Sequence, residues 1–89
     1  MPKNILIIDD EELITKSLLK LLSREGYEVS VVRNGYDALE KVKIKDFDLI
    51  VSDIRMPDLD GIETIRRIRS ELTKSNRKYI PEIVITGYA

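Results

Sequence analysis

Residues 48–61 read DLIVSDIRMPDLDG. The apolar run Leu49–Val51 leads straight into Ser52 and Asp53, and a Met-Pro step, two further aspartates and a glycine follow. A continuous run of this length predicts a strand covered on both faces, here over Asp48–Ser52. Asp53 therefore sits where a buried strand ends. A carboxylate in such a place is costly unless a charge of opposite sign accompanies it, and that partner has to be found elsewhere in the chain.

Working outward, Ile5–Ile8 is a second continuous apolar run, ended by Asp9 and Asp10, and predicts another covered strand. Residues 11–26, EELITKSLLKLLSREG, place Leu13, Ile14, Ser17, Leu18, Leu21 and Leu22 on one helical face, with Gly26 as the stop. Tyr27–Val32 alternates and is rich in β-branched residues, as suits an outer strand. Residues 34–46 open on an Asn34-Gly35 turn and carry Tyr36, Leu39, Val42 and Lys43 at helical spacing. Downstream, Asp60 is a candidate N-cap with Glu63 three positions on, and Ile62, Ile65, Ile68 and Leu72 form the stripe of a third helix. Its other face, Arg66, Arg67 and Arg69, reads as solvated surface. A last strand is expected over Glu82–Thr86. Strands alternating with helices predict an α/β domain with right-handed crossovers and a mainly parallel sheet, helices on both faces.

The chain has 89 residues, 43% hydrophobic and 35% charged, which allows one small domain with a thin core. Fifteen Lys and Arg against sixteen Asp and Glu leave a net charge of −1, so no global field draws in nucleic acid or anionic lipid. Direct DNA binding by this segment is not expected. Cysteine and histidine are both absent, which excludes disulfides, thiolate or imidazole metal sites and histidine acid–base catalysis. Any metal must be held by oxygen. The N-terminal apolar run is too short for a signal-peptide core or a membrane span, and a cytoplasmic protein is expected.

In open parallel sheets ligands gather at the carboxyl ends of strands. Three strands here finish in polar chemistry: Asp9 and Asp10 after the first, Asp53 after the third, Thr86 after the fourth. If the first and third strands are neighbours, their carboxylates converge, and like charges that close repel unless a cation neutralises them. Mg2+ suits such a cluster because it takes oxygen ligands, keeps several waters and accepts phosphate as a further ligand. Asp53 could then stay ionised and accept a phosphoryl group, a known form of carboxylate nucleophilic catalysis.

These motifs, taken in order, resemble the response-regulator receiver domain, the phosphoacceptor module of two-component signalling. ILIIDDEE (5–12) is similar to the family's acidic pair, VSDIRMPDLDG (51–61) to its acceptor motif and IVITGYA (83–89) to its switch strand. The resemblance runs from Asn4 to Ala89 and implies a single domain over residues 1–89 with a flavodoxin-like sheet of order 2-1-3-4. It also implies phosphorylation of Asp53 by a histidine kinase or histidine phosphotransfer domain, with Mg2+ held by Asp10, Asp53 and the Arg55 main-chain carbonyl and by Asp9 mostly through water. Thr86 takes the role of the switch hydroxyl, Met56, Pro57 and Gly61 shape the loop after the acceptor, Gly87 follows the switch, and Arg55 and Tyr88 flank the phosphoryl site and modulate phosphate loss. The kinase side is expected to dock near Glu12, Thr15 and Lys16. Enzymatic activity, on this reading, goes no further than self-phosphorylation and autodephosphorylation.

Receivers usually continue through a fourth helix, a fifth strand that opens beside a phosphoryl-binding Lys, and a fifth helix. The resemblance here stops after the fourth strand, and a missing ammonium of that kind is worth about 2–4 kcal/mol of electrostatic stabilisation. The competing expectation is a truncated or degenerate receiver acting as a phosphorylation-independent interaction or dimerisation module, self-associating through the apolar edge of the fourth strand. Two other readings of residues 58–61 are weaker. A calcium loop with Gly61 at its sixth position would need acidic residues where Met56 and Arg67 stand. The haloacid-dehalogenase phosphatase signature needs its nucleophile directly behind a strand, and the apolar run ends at Asp53 instead.

Overall fold

The structure, a computed structural model, describes residues 2–56 and 59–85. The elements run β1 (Asn4–Ile8), α1 (Glu12–Arg24), β2 (Glu28–Val32), α2 (Gly35–Ile44), β3 (Leu49–Asp53), α3 (Gly61–Lys74) and β4 (Glu82–Ile85). The four strands form one parallel sheet in the order β2-β1-β3-β4, with Ile8 opposite both Val32 and Ser52. β1 and β3 are the inner strands, which is why they are the two continuous apolar runs.

Strand alternation sends Leu6, Ile8 and Ile50 to one side of the sheet, where they meet Ala38 and Val42 of α2 and Ile68 and Leu72 of α3 in the main core. Ile5 and Ile7 point to the other side, also buried, and Leu22 of α1 lies close to Ile5 and Leu49 there. Helices therefore cover both faces, as the expected flavodoxin-like architecture requires.

Local chemistry fixes the helix ends. Asn34 caps α2 by accepting from the Asp37 N–H at 2.8 Å, and Asp60 caps α3 by accepting from the Glu63 N–H at 2.8 Å. The Glu63 carboxylate turns to Arg66 and Arg67. α1 ends as expected near Gly26, whose φ of 92° is the left-handed conformation that glycine adopts without strain. Arg77, beyond α3, donates to the Val42 and Lys45 carbonyls and pairs with Asp46, satisfying the last turn of α2.

The expected helix faces need correction. In α1 the sheet-facing row is Ile14, Leu18 and Leu22 with buried Thr15, while Leu13 is 77% and Leu21 56% exposed. α1 lies against β2, so only its row at four-residue spacing meets the sheet, and no other described helix shares that face to cover the flanking leucines. In α2 the small Ala38 is buried and Tyr36 is exposed beneath the Arg67 guanidinium. In α3 Ile62 is exposed and Thr64 is buried, its hydroxyl donating to the Asp60 carbonyl at 2.8 Å. Arg66 and Arg67 are solvated ion-pair partners of Glu63, and Arg69 pairs with Glu82.

Candidate functional site

The site is built where β1 and β3 end side by side. Asp53 is the last residue of β3, one position later than the strand expected from the apolar run, because Asp53 still pairs with Ile85 of β4. Ile8 stands opposite Ser52, so Asp9 leaves β1 beside Asp53. One carboxylate oxygen from each of Asp9, Asp10 and Asp53 lies within 4.8 Å of the others. Asp9 and Asp53 are each only 2% exposed, and Asp10 is half-buried.

Backbone donors orient two of these carboxylates. Asp9 Oδ1 accepts from the Glu11 N–H at 2.8 Å, which also fixes the entrance to α1. Asp53 Oδ1 accepts from the Arg55 N–H at 3.1 Å, and the Arg55 side chain points to solvent. Burial pushes the Asp9 carboxyl above its ordinary value; the Glu11 N–H works against this, and the Asp53 and Asp10 charges add to it. A cation shared by the three would relieve the repulsion.

The loop after Asp53 folds back at once. The Gly61 N–H donates to the Ile54 carbonyl at 3.0 Å, and a Cβ at position 61 would run into the Asp53 carbonyl oxygen, so this crossing needs glycine. Met56 is half-buried and packs against the main core. Of the other expected site residues, Pro57, Thr86, Gly87 and Tyr88 lie outside the described residues. In the expected docking region Glu12 and Lys16 are exposed and paired with each other, but Thr15 is buried and its hydroxyl donates to the Glu12 carbonyl, so Thr15 offers little to a partner.

Two features beside the cluster carry no side-chain motif. Glu11 acts through its backbone, which no side-chain pattern records. Leu59 is buried although acidic residues flank it, and an apolar residue isolated in Asp58-Leu59-Asp60 was the available signal.

A family model described as the response regulator receiver domain matches residues 5–89. The chain belongs to this family. This receiver domain is 42% identical over 86 residues to the transcriptional regulatory protein ZraR of Klebsiella oxytoca, covering 97% of the chain but only 18% of that protein. It is similar in structure to the chemotaxis protein CheY4 of Vibrio cholerae, with a TM-score of 0.88 at 30% identity over 100% of this chain and 72% of that one. It is also similar to the response regulator TrrA of Thermotoga maritima in complex with Mg(2+)-BeF, with a TM-score of 0.81 at 38% identity over 98% of this chain and 71% of that one.

Proposed function

We propose that this receiver domain accepts a phosphoryl group on Asp53 from the phosphohistidine of a histidine kinase or histidine phosphotransfer domain, with Mg2+ at the acidic cluster. The observation that carries the reading is the approach of Asp9, Asp10 and Asp53 to within 4.8 Å at adjacent strand ends. An all-carboxylate donor set in a chain without His or Cys suits a hard, oxygen-loving cation. Asp10 and Asp53 with the Arg55 main-chain carbonyl would hold it, and Asp9 would act through water. When bound, Mg2+ supplies positive charge against the acceptor carboxylate and the phosphoryl oxygens.

The chain's own residues do the rest. An Asp53 carboxylate oxygen forms the new P–O bond while the P–N bond of the phosphohistidine breaks, and the imidazole leaves with that bond's electron pair and takes one proton from solvent. The Arg55 N–H holds Asp53 in one orientation, and the Glu11 N–H does the same for Asp9. Fixed donors of this kind need no reorganisation when the phosphoryl group arrives. Thr86 is the family's position for a hydroxyl that binds a phosphoryl oxygen, with Gly87 after it and Tyr88 and Arg55 modulating loss of the phosphate. Met56 and Pro57 shape the loop. No helix among the described residues is long and apolar enough to cross a membrane. The net charge of −1 gives no field to draw in nucleic acid, so no direct nucleic-acid role is assigned, and a cytoplasmic setting is part of the proposal.

A small phosphodonor such as phosphoramidate, added with Mg2+ and followed by intact mass and peptide mapping, tests the assignment. One phosphoryl group on the peptide carrying Asp53, lost in Asp53→Asn and without Mg2+, is expected. Unchanged labelling in Asp53→Asn overturns it.

A second reading is favoured by one observation: among the described residues β4 is an edge strand of the sheet, pairing on one side only, with β3. An apolar strand at a sheet edge invites another strand, which supports self-association of this module independent of phosphorylation. A dimer unchanged by phosphorylation and by Asp53→Asn would support that reading.

A further inference from the structure

We propose that Leu59 is a positioning residue for the metal and phosphoacceptor loop, seated as a plug between the starts of α2 and α3; the proposal rests on the reading of Asp9, Asp10 and Asp53 as a Mg2+ site. Leu59 is only 5% exposed. A Cβ built on Gly35, the first residue of α2, would lie 2.8 Å from Leu59 Cδ2 and 3.2 Å from Leu59 Cβ, and would also run into the Thr64 hydroxyl. The corner is therefore filled by the Thr64 hydroxyl and Leu59 together so closely that α2 has no room for even a methyl group there.

Both walls of this corner are fixed. Asn34 caps the α2 start, and Asp60 caps α3, with the Thr64 hydroxyl returning to the Asp60 carbonyl. The described residues nearest the site are anchored: Met56 packs against the main core, Leu59 helps fill the corner, and the Gly61 N–H closes back on Ile54. Between these anchors and β3 lies Arg55, whose N–H orients Asp53 and whose carbonyl is the assigned metal ligand. Leu59 touches no reacting atom. Its removal would free the chain that sets the Arg55 peptide, so the effect reaches the metal through geometry and not through charge. Groups that directly orient a metal ligand typically carry a 10- to 100-fold effect on affinity, and Leu59, one step further out, is expected at the low end of that range.

The test titrates Mg2+ alone into the full chain, following heat and the backbone amide shifts of Arg55 and Asp9. Leu59→Ala is expected to weaken Mg2+ about 10-fold. Leu59→Met keeps the volume and is expected to stay near the parent affinity. Val42→Ala, a truncation in the α2 part of the core, controls for general loosening and is expected to bind Mg2+ like the parent while melting lower. If Leu59→Ala does not fold, Leu59→Val takes its place with a smaller weakening of the same sign. Parent-like affinity in the folded truncation, or an equal loss in Val42→Ala, overturns the proposal alone. A parent that binds no Mg2+ overturns the phosphoacceptor reading with it.

Discussion

Asp9 and Asp53 stand side by side because Ile8 and Ser52, the residues before them, are partners in the parallel β1–β3 ladder. A shift of the ladder by one residue would turn one of the two carboxylates to the other face of the sheet. The apolar pattern of two buried strands thus sets the geometry of the acidic site.

Asp9 makes the metal-free domain pH-sensitive. Its folded value is raised, first by burial, so its contribution to stability is fully present below the ordinary carboxylate range and is lost as pH rises through the raised folded value. Without Mg2+, Asp9→Asn is expected to melt higher than the parent at neutral pH and to lose that part of the pH dependence, because Asn can still accept from the Glu11 N–H. Thermal melts across the acid range without Mg2+ check this; an Asp9→Asn melt lower than the parent at neutral pH contradicts it.

The two leucine environments separate sharply. Leu6 is fully buried among α2 and α3 residues, and Leu6→Ala is expected to cost about 2–5 kcal/mol by denaturant titration. Leu21 is 56% exposed on α1, and Leu21→Ala is expected to change stability by no more than about 0.5 kcal/mol. A large loss at Leu21 would place α1 differently on the sheet.

The β4 edge has a selective probe. The Pro81 and Ile85 carbonyls accept from the N–H groups of Ile50 and Ile54, so alternation turns the N–H and C=O of Val84 outward. Val84→Pro removes an outward donor without removing a bond to β3. Concentration-dependent self-association in sedimentation is expected for the parent and not for Val84→Pro. A compact parent monomer at micromolar concentration contradicts the edge as an association surface.

The sheet was readable because Ile5–Ile8 and Leu49–Val51 are unbroken apolar runs that only doubly covered strands need, and the acids at their ends marked the site. The helix faces were less readable. α1 carries apolar residues at 13, 14, 18, 19, 21 and 22, enough for more than one stripe, and only its seat beside β2 selects Ile14, Leu18 and Leu22. Thr64 looked polar and is buried because its hydroxyl donates a hydrogen bond to the Asp60 carbonyl, and Gly35 looked like a turn residue when its role is close packing against Thr64 and Leu59. Such roles depend on neighbours distant in the chain, which local periodicity does not encode.

On the proposed function, Asp9, Asp10 and Asp53 share one hard cation beside a phosphoryl group carried by Asp53 alone. Fluorine NMR of the domain with beryllium fluoride, recorded with and without Mg2+, tests it most directly. Bound fluoride resonances that appear only with Mg2+ and vanish in Asp53→Asn are the expected result. Bound signals that persist without Mg2+ or in Asp53→Asn, or no bound signal under any condition, would contradict the account.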